Sequence, residues 1–215
     1  MLATSLFDLF YQNILATTWL EIIAVIFGLL SVWFAKNANI LVFPTGIISV
    51  LIYVYICYFA QLYADMGINF FYFIMSVYGW YMWTRKDELR KVLPITWNTK
   101  KHQIAGIIAT IIGSFVIFGI IWLFKKNDAA YMNSYVPYID SFTTSIFLVG
   151  MFFMARKKIE NWIYWIIGDL ISVPLYFYKE LAFTSFQYFV FLIIAVLGLM
   201  KWISIYKDNS LNSKP

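Results

Sequence analysis

Long apolar runs alternate with short polar clusters along the chain, and seven of the runs reach or approach the roughly 17 to 25 residues that cross a bilayer as a helix. They lie near Trp19 to Ala35, Ile40 to Tyr58, Met66 to Trp83, Ile104 to Phe124, Ser141 to Ala155, Trp162 to Tyr178 and Phe183 to Trp202. The fifth is the shortest. Trp19, Trp80, Trp83, Trp122, Tyr138, Trp162 and Trp202 stand at or near the ends of these windows, where amphipathic rings prefer the headgroup level. Ten-residue stretches of alternating apolar and polar residues, the mark of a membrane barrel, are absent. The pattern predicts an all-α membrane protein with seven transmembrane helices and short tails at 1–18 and 203–215.

Composition agrees with this class. The chain is 62% hydrophobic and only 13% charged, against about 25% charged for a soluble domain. A net charge of +5 would suit nucleic acid, but the Lys and Arg residues sit in clusters between apolar runs and form no continuous basic surface. Thirteen of the 16 cations fall on one side of the seven-span layout. They are Lys36, Arg85 to Lys101, Arg156 to Lys158, and Lys201, Lys207 and Lys214. Only Lys125, Lys126 and Lys179 fall on the other side. The positive-inside rule then places the N-terminus outside and the C-terminus in the cytoplasm. No basic stretch precedes Lys36, so a cleaved leader is not expected. Cys57 is the one cysteine and His102 the one histidine, which excludes a disulfide within the chain and a metal or haem site. No catalytic constellation is visible. The expectation is a protein that is not an enzyme and uses no cofactor.

The chain matches itself at a shift of 119 to 123 residues. Glu21 falls on Asp140, Ile48-Ser49-Val50 on Ile171-Ser172-Val173, Tyr53 and Tyr55 on Tyr176 and Tyr178, and Gly79 with Trp83 on Gly198 with Trp202. The drift suggests small loop insertions. The reading is two parallel three-helix repeats, 19–83 and 141–202, joined by a linker helix at 104–124 (3+1+3). Repeats of this kind are a transporter architecture with the substrate site at their interface.

Polar residues inside the apolar windows carry the functional argument. Trp162, Trp165, Asp169, Ser172 and Tyr176 recur at helical steps and share one face of the sixth window. Asp169 lies near its centre, where an ionisable group costs about 2.5 to 3.5 kcal/mol on insertion scales. No Lys or Arg lies at the same depth. Its partner is therefore water, a hydroxyl, a proton on the carboxylate, or a cationic substrate. Asp65, Asn69, Tyr72, Ser76 and Trp83 form a matching stripe on the third window, and Gln187 adds an amide near the outer end of the seventh. Thr45 and Ser49 read as helix-packing hydroxyls, and Glu21 as solvated or bonded between helices. Pro174 removes a backbone donor and should bend the sixth helix, freeing the Leu170 carbonyl. Aromatic rings beside an acid suit a flat heteroaromatic cation. Proton coupling through Asp169 or Glu21 is the alternative use of the same acids.

Certain segments resemble a known family. Glu21 to Trp33, Tyr78-Gly79-Trp80-Tyr81-Met82-Trp83, Asp140-Ser141, the basic loop Arg156-Lys157-Lys158 and Asn161-Trp162-Ile163-Tyr164-Trp165 are similar to the bacterial PnuC vitamin transporters, whose hallmark is a WxxW motif after a short basic loop. The resemblance runs from about Trp19 to Trp202. It implies the 3+1+3 arrangement in a homotrimer, with facilitated diffusion of nicotinamide riboside trapped afterwards by a cytoplasmic kinase. It also implies a substrate cavity that includes Trp162, Trp165, Asp169 and Asn69, to which the helix stripes and the seventh window add Tyr72, Tyr176 and Gln187, and the motif adds Asn161, as substrate-binding candidates. The chain departs from the family pattern at Asp169 and Asn69, where Asn and Gln are frequent. Relatives of similar sequence look like thiamine or riboflavin carriers, and an acid suits the cationic ring of thiamine as well.

Overall fold

A computed structural model of the chain describes residues 11–12, 15, 17–86 and 93–212. Most of the expected N-terminal tail and part of the loop between Arg85 and Lys101 lie outside the described residues. Long helices cover every apolar window: α1 (Trp19–Lys36), α2 (Val42–Phe59), α3 (Tyr63–Thr84), α4 (Lys100–Lys125), α6 (Val136–Ala155), α7 (Glu160–Tyr178) and α8 (Ala182–Asn212). A one-turn helix, α5 (Ala129–Met132), interrupts the α4–α6 connection. Five of them, α1, α2, α4, α6 and α8, are long and apolar enough to cross a membrane by length and composition. The other two long helices, α3 and α7, are those that carry the polar stripes.

Local chemistry sets the helix ends. Thr18 caps α1: its hydroxyl accepts from the Glu21 amide at 3.3 Å while the Glu21 carboxylate accepts from the Thr18 amide at 2.8 Å. This reciprocal capping box satisfies two otherwise orphaned donors, and it places Glu21 in its own helix cap, not between helices. Thr99 caps α4 in the same sense, accepting from the His102 amide. Pro137 stands in the first turn of α6, where a fixed φ favours helix initiation. The fifth window therefore extends to a full 20 residues, longer than its apolar core suggests. At the other end, α8 runs on to Asn212, so most of the expected tail is helix. Nothing in Ser204 to Lys207 breaks the pattern. α7 continues without interruption through Pro174 to Tyr178.

The same contacts occur twice, 119 positions apart. Trp83 Nε1 donates to the Met154 carbonyl at 3.3 Å, and Trp202 Nε1 to the Ala35 carbonyl at 3.0 Å. Phe43 meets Trp83 edge-on at 5.0 Å and 87°, and Trp162 meets Trp202 at 5.6 Å and 87°. Gly79 leaves room for the Phe43 ring as Gly198 does for Trp162. The four non-glycine residues with left-handed backbone among those described also pair at this shift: Ala38 with Lys157 (φ 52° each), and Gln61 (59°) with Glu180 (61°). The shift is therefore constant from Ala35 to Trp83, and the expected drift toward 123 is an error of alignment. Four residues make about one turn, so a one-turn slip keeps the same face and lets Ser49 mimic Ser172. In the corrected register Val50 corresponds to Asp169, so only the second unit carries a mid-helix acid.

The core gathers at the end of the molecule that holds the basic loops, around Phe43, Trp83, Trp162 and Trp202. α8 packs on α1 and α3 on α6, which interleaves the two units. The segment before α4 is pinned there as well. Thr96 forms a parallel bridge with Lys158, and the buried Glu160 carboxylate accepts from the Asn98 amide at 2.8 and 3.0 Å and from Gln103 Nε2 at 2.9 Å. Burial of the two lysines in this turn, Lys157 and Lys158, lowers their pKa. α4 packs chiefly against α6 and only grazes α3.

Candidate functional site

The 3.6-residue repeat of α7 turns Trp162, Trp165, Asp169, Ser172 and Tyr176 to one side, and packing by α6 and α8 closes over them. Asp169 and Ser172 are each 1% exposed. Beside them the rings stack in a ladder that crosses three helices. Trp165 lies 5.2 Å from Phe147 of α6 at 30°, Phe147 lies 5.9 Å from Tyr188 of α8 at 19°, and Tyr188 lies 4.9 Å from Tyr176 at 11°. Asp169 stands on α7 between the two α7 rungs of this ladder. Tyr72 of α3 and Tyr188 are both within electrostatic range of its carboxylate, and Tyr72 also of Tyr176. Three half-buried phenols and a fully buried acid thus lie near one another.

The polar atoms of this face are incompletely satisfied. Asn161 Oδ1, Trp162 Nε1, Asp169 Oδ1 and Ser172 Oγ are buried and have no hydrogen-bond partner among the described residues. An unsatisfied buried group costs about 1 to 3 kcal/mol, so Asp169 Oδ1 and Ser172 Oγ, about one turn apart beside the ladder, favour a polar occupant. The first-unit hydroxyl that mimics Ser172 from one turn out of register behaves otherwise. Ser49 Oγ donates to the Ala24 carbonyl at 2.8 Å and holds α2 to α1.

Tyr72, Asp169 and Tyr176 come together as the sequence pattern suggested, with Trp165 on the ladder. Trp162 is held differently: its ring is wedged against Gly198 and Trp202, in the core below the ladder. Asn161 is fully buried and its amide donates to the Lys158 carbonyl at 2.6 Å. Asn69 turns back along its own helix, donating to the Asp65 carbonyl at 2.9 Å, and Gln187 is half-buried with no side-chain hydrogen bond among the described residues. Neither amide reaches Asp169. Tyr188 and Phe147 are the contributors that residue spacing missed. Tyr188 had a signal, being the last polar side chain before Lys201 in a run of apolar residues. Phe147 had none among 21 phenylalanines.

An ion pair lies just beyond the Tyr176 rung. Lys179 Nζ is 2.8 Å from Asp140 and 5.1 Å from the centre of the Tyr176 ring, and the Tyr131 hydroxyl donates to Asp140 at 2.7 Å. Burial and this bond raise the Tyr131 pKa well above its usual value, so it stays a donor. A cavity beside Trp19 and Tyr55 and another among α3, α4 and α6 are lined by neither Asp169 nor the ladder.

Comparisons with known proteins bear on the family and the fold. The profile of a family described as nicotinamide mononucleotide transporter aligns with residues 18–204. The nicotinamide riboside transporter PnuC of Escherichia coli K12 is 27% identical over 210 residues, covering 89% of this chain and 88% of that protein. The riboflavin/roseoflavin transporter RibM of Streptomyces davaonensis is 27% identical over 201 residues, covering 91% and 88%. PnuC of Neisseria mucosa is 25% identical over 206 residues, covering 90% and 75%. A crystal structure of the vitamin B3 transporter PnuC superposes with a TM-score of 0.66 at 22% identity, covering 96% of this chain and 92% of that one. An all-helical membrane chain with two interleaved sets of equivalent contacts and a matched profile over nearly its whole length belongs to the nicotinamide mononucleotide transporter family, that of the PnuC vitamin transporters.

Proposed function

We propose that this chain is a seven-span, 3+1+3 facilitator that carries nicotinamide riboside across the bacterial inner membrane, with its N-terminus outside and its C-terminus in the cytoplasm. The observation that carries this reading is Asp169, a buried acid with no basic partner at its depth, set beside a ladder of stacked rings and three tyrosines. A pyridinium riboside matches each part. Its positive ring suits the carboxylate and the ring faces, and its ribose hydroxyls suit the orphaned Ser172 Oγ nearby. The names of the Escherichia coli and Neisseria relatives agree. Uptake becomes irreversible through a cytoplasmic kinase, and the working unit is a homotrimer in which each chain holds its own site.

A second reading, riboflavin, draws support from the RibM relative at equal identity. Stacking rungs accept a flat neutral ring as readily, and thiamine shares the cationic ring of the first reading. Asp169 is closed off in this conformation, so either substrate requires the helices to open, with the Lys179–Asp140 pair as the contact to break on the Tyr176 side. The test uses liposomes containing the purified protein and no enzyme. Labelled nicotinamide riboside should equilibrate to equal concentrations inside and out, with riboflavin and thiamine competing weakly, and enclosed kinase should raise total uptake without changing the initial rate. Accumulation above equilibrium under a proton or sodium gradient would replace the facilitator by a coupled carrier.

A further inference from the structure

A cavity of about 570 Å³ lies away from Asp169, between α3, α4 and α6. Its body is apolar: Phe71, Ala105, Ala109, Leu148, Val149 and Phe152 line it. Gly106, Ala109 and Gly113 follow at helical steps along α4, and their small side chains form its floor. Its mouth is polar and basic, with Asn98, His102, Arg156 and Lys158 at the end where α4 begins. Glu160 is the acid nearest this mouth, and its oxygens are turned to the Asn98 backbone and Gln103.

Asn98 supplies the independent observation. It is 9% exposed, lines the cavity, and its Nδ2 donor has no partner among the described residues. A buried unpaired amide beside two cations calls for an anionic or ester oxygen. From His102 to Gly113 the cavity follows eleven residues of α4, about 16 Å at 1.5 Å per residue, which is close to the depth of one leaflet's hydrocarbon. A helix of a second copy would need a cylinder about 10 Å across over that length, roughly twice the space available. A lipid chain is slender enough.

We infer that this cavity is a binding site for an anionic phospholipid of the adjacent leaflet, its phosphate held at Asn98, Arg156 and Lys158 and one acyl chain laid along the Gly106–Ala109–Gly113 floor. The site depends on the membrane setting alone and not on which vitamin is carried. It joins α4 to the α6–α7 turn, next to the segment that leads into Asn161 and Trp162.

The experiment uses the full-length protein in detergent, with phosphatidylglycerol and phosphatidylcholine as probes, read by native mass spectrometry and thermal unfolding. Phosphatidylglycerol should be retained in preference to phosphatidylcholine, and Arg156→Gln should reduce that preference about fivefold, the usual effect of one cation near an anionic surface. Ala109→Trp, which fills the floor, should abolish retention of both lipids. Asn98→Leu discriminates further: removing an unpaired buried donor should leave the lipid-free melting temperature unchanged or higher while lowering phosphatidylglycerol retention. Equal retention of both lipids by the wild type, or undiminished retention in Ala109→Trp, would overturn the proposal. So would an Ala109→Trp protein that loses its oligomeric state and keeps its lipid, because the cavity would then be an interface between copies.

Discussion

Asp169→Asn isolates the charge on the candidate site while keeping its shape. The carboxylate is 1% exposed and one of its oxygens has no partner among the described residues. A pyridinium seated against the neighbouring rings would bring its charge to about 5 Å from that carboxylate. At an effective dielectric of about 20 two unit charges at that distance attract by about 3 kcal/mol. Asparagine retains part of this through its amide dipole, so about 1.5 to 3 kcal/mol should be lost, roughly ten- to a hundredfold in affinity. Riboflavin, which is neutral, should change by less than about threefold. The variant also replaces a buried ionisable group by a neutral one, so its melting temperature should hold or rise, which separates a binding effect from misfolding. Isothermal titration in nanodiscs with both vitamins, alongside thermal unfolding, reads all of this. An equal loss for both ligands would refute the electrostatic reasoning, as would an unchanged affinity for nicotinamide riboside in a stable variant.

Other expectations follow from particular contacts. Trp165→Ala removes a rung of the ladder and should weaken binding about three- to tenfold, since a stacked pair is worth about 0.5 to 1.5 kcal/mol beyond burial, with little change in melting temperature. Trp162→Ala opens a hole beside Gly198 and Trp202 and should cost about 3 to 5 kcal/mol of stability, seen as a large drop in thermal unfolding. Equal stability of the two variants would contradict their different placement. Gln61→Gly and Glu180→Gly relieve equivalent left-handed residues on the exposed surface, and each should raise stability by about 0.5 to 1 kcal/mol; opposite signs would mean the two turns are not equivalent. In a Cys57-free background a cysteine at position 134 should react with an impermeant probe on intact cells and one at position 94 should not, and the reverse pattern would invert the topology.

Hydropathy alone placed every long helix, because a bilayer demands long apolar runs whatever their neighbours. The Trp83–Trp202 match exposed the repeat because both indoles make the same bond to the end of a partner helix. Register within the repeat was not legible: Ile48-Ser49-Val50 and Ile171-Ser172-Val173 share composition, and a slip of one turn leaves the same face outward. Only the reciprocal bonds, Trp83 to Met154 and Trp202 to Ala35, decide it. The sixth-window face was readable from spacing, since residues at three- and four-residue steps must share a side of α7. What that side meets was not. Phe147 and Tyr188 join the ladder because α6 and α8 cross α7 at the depth of Asp169, whereas Asn69 turns back to the Asp65 carbonyl on its own helix and Gln187 points about 100° round α8 from Tyr188. Periodicity fixes the direction of a side chain within its own helix, whereas the partner it meets depends on how helices far apart in sequence pack, and that is set by the bulk of rings such as Trp162 and Phe43 against glycines 198 and 79.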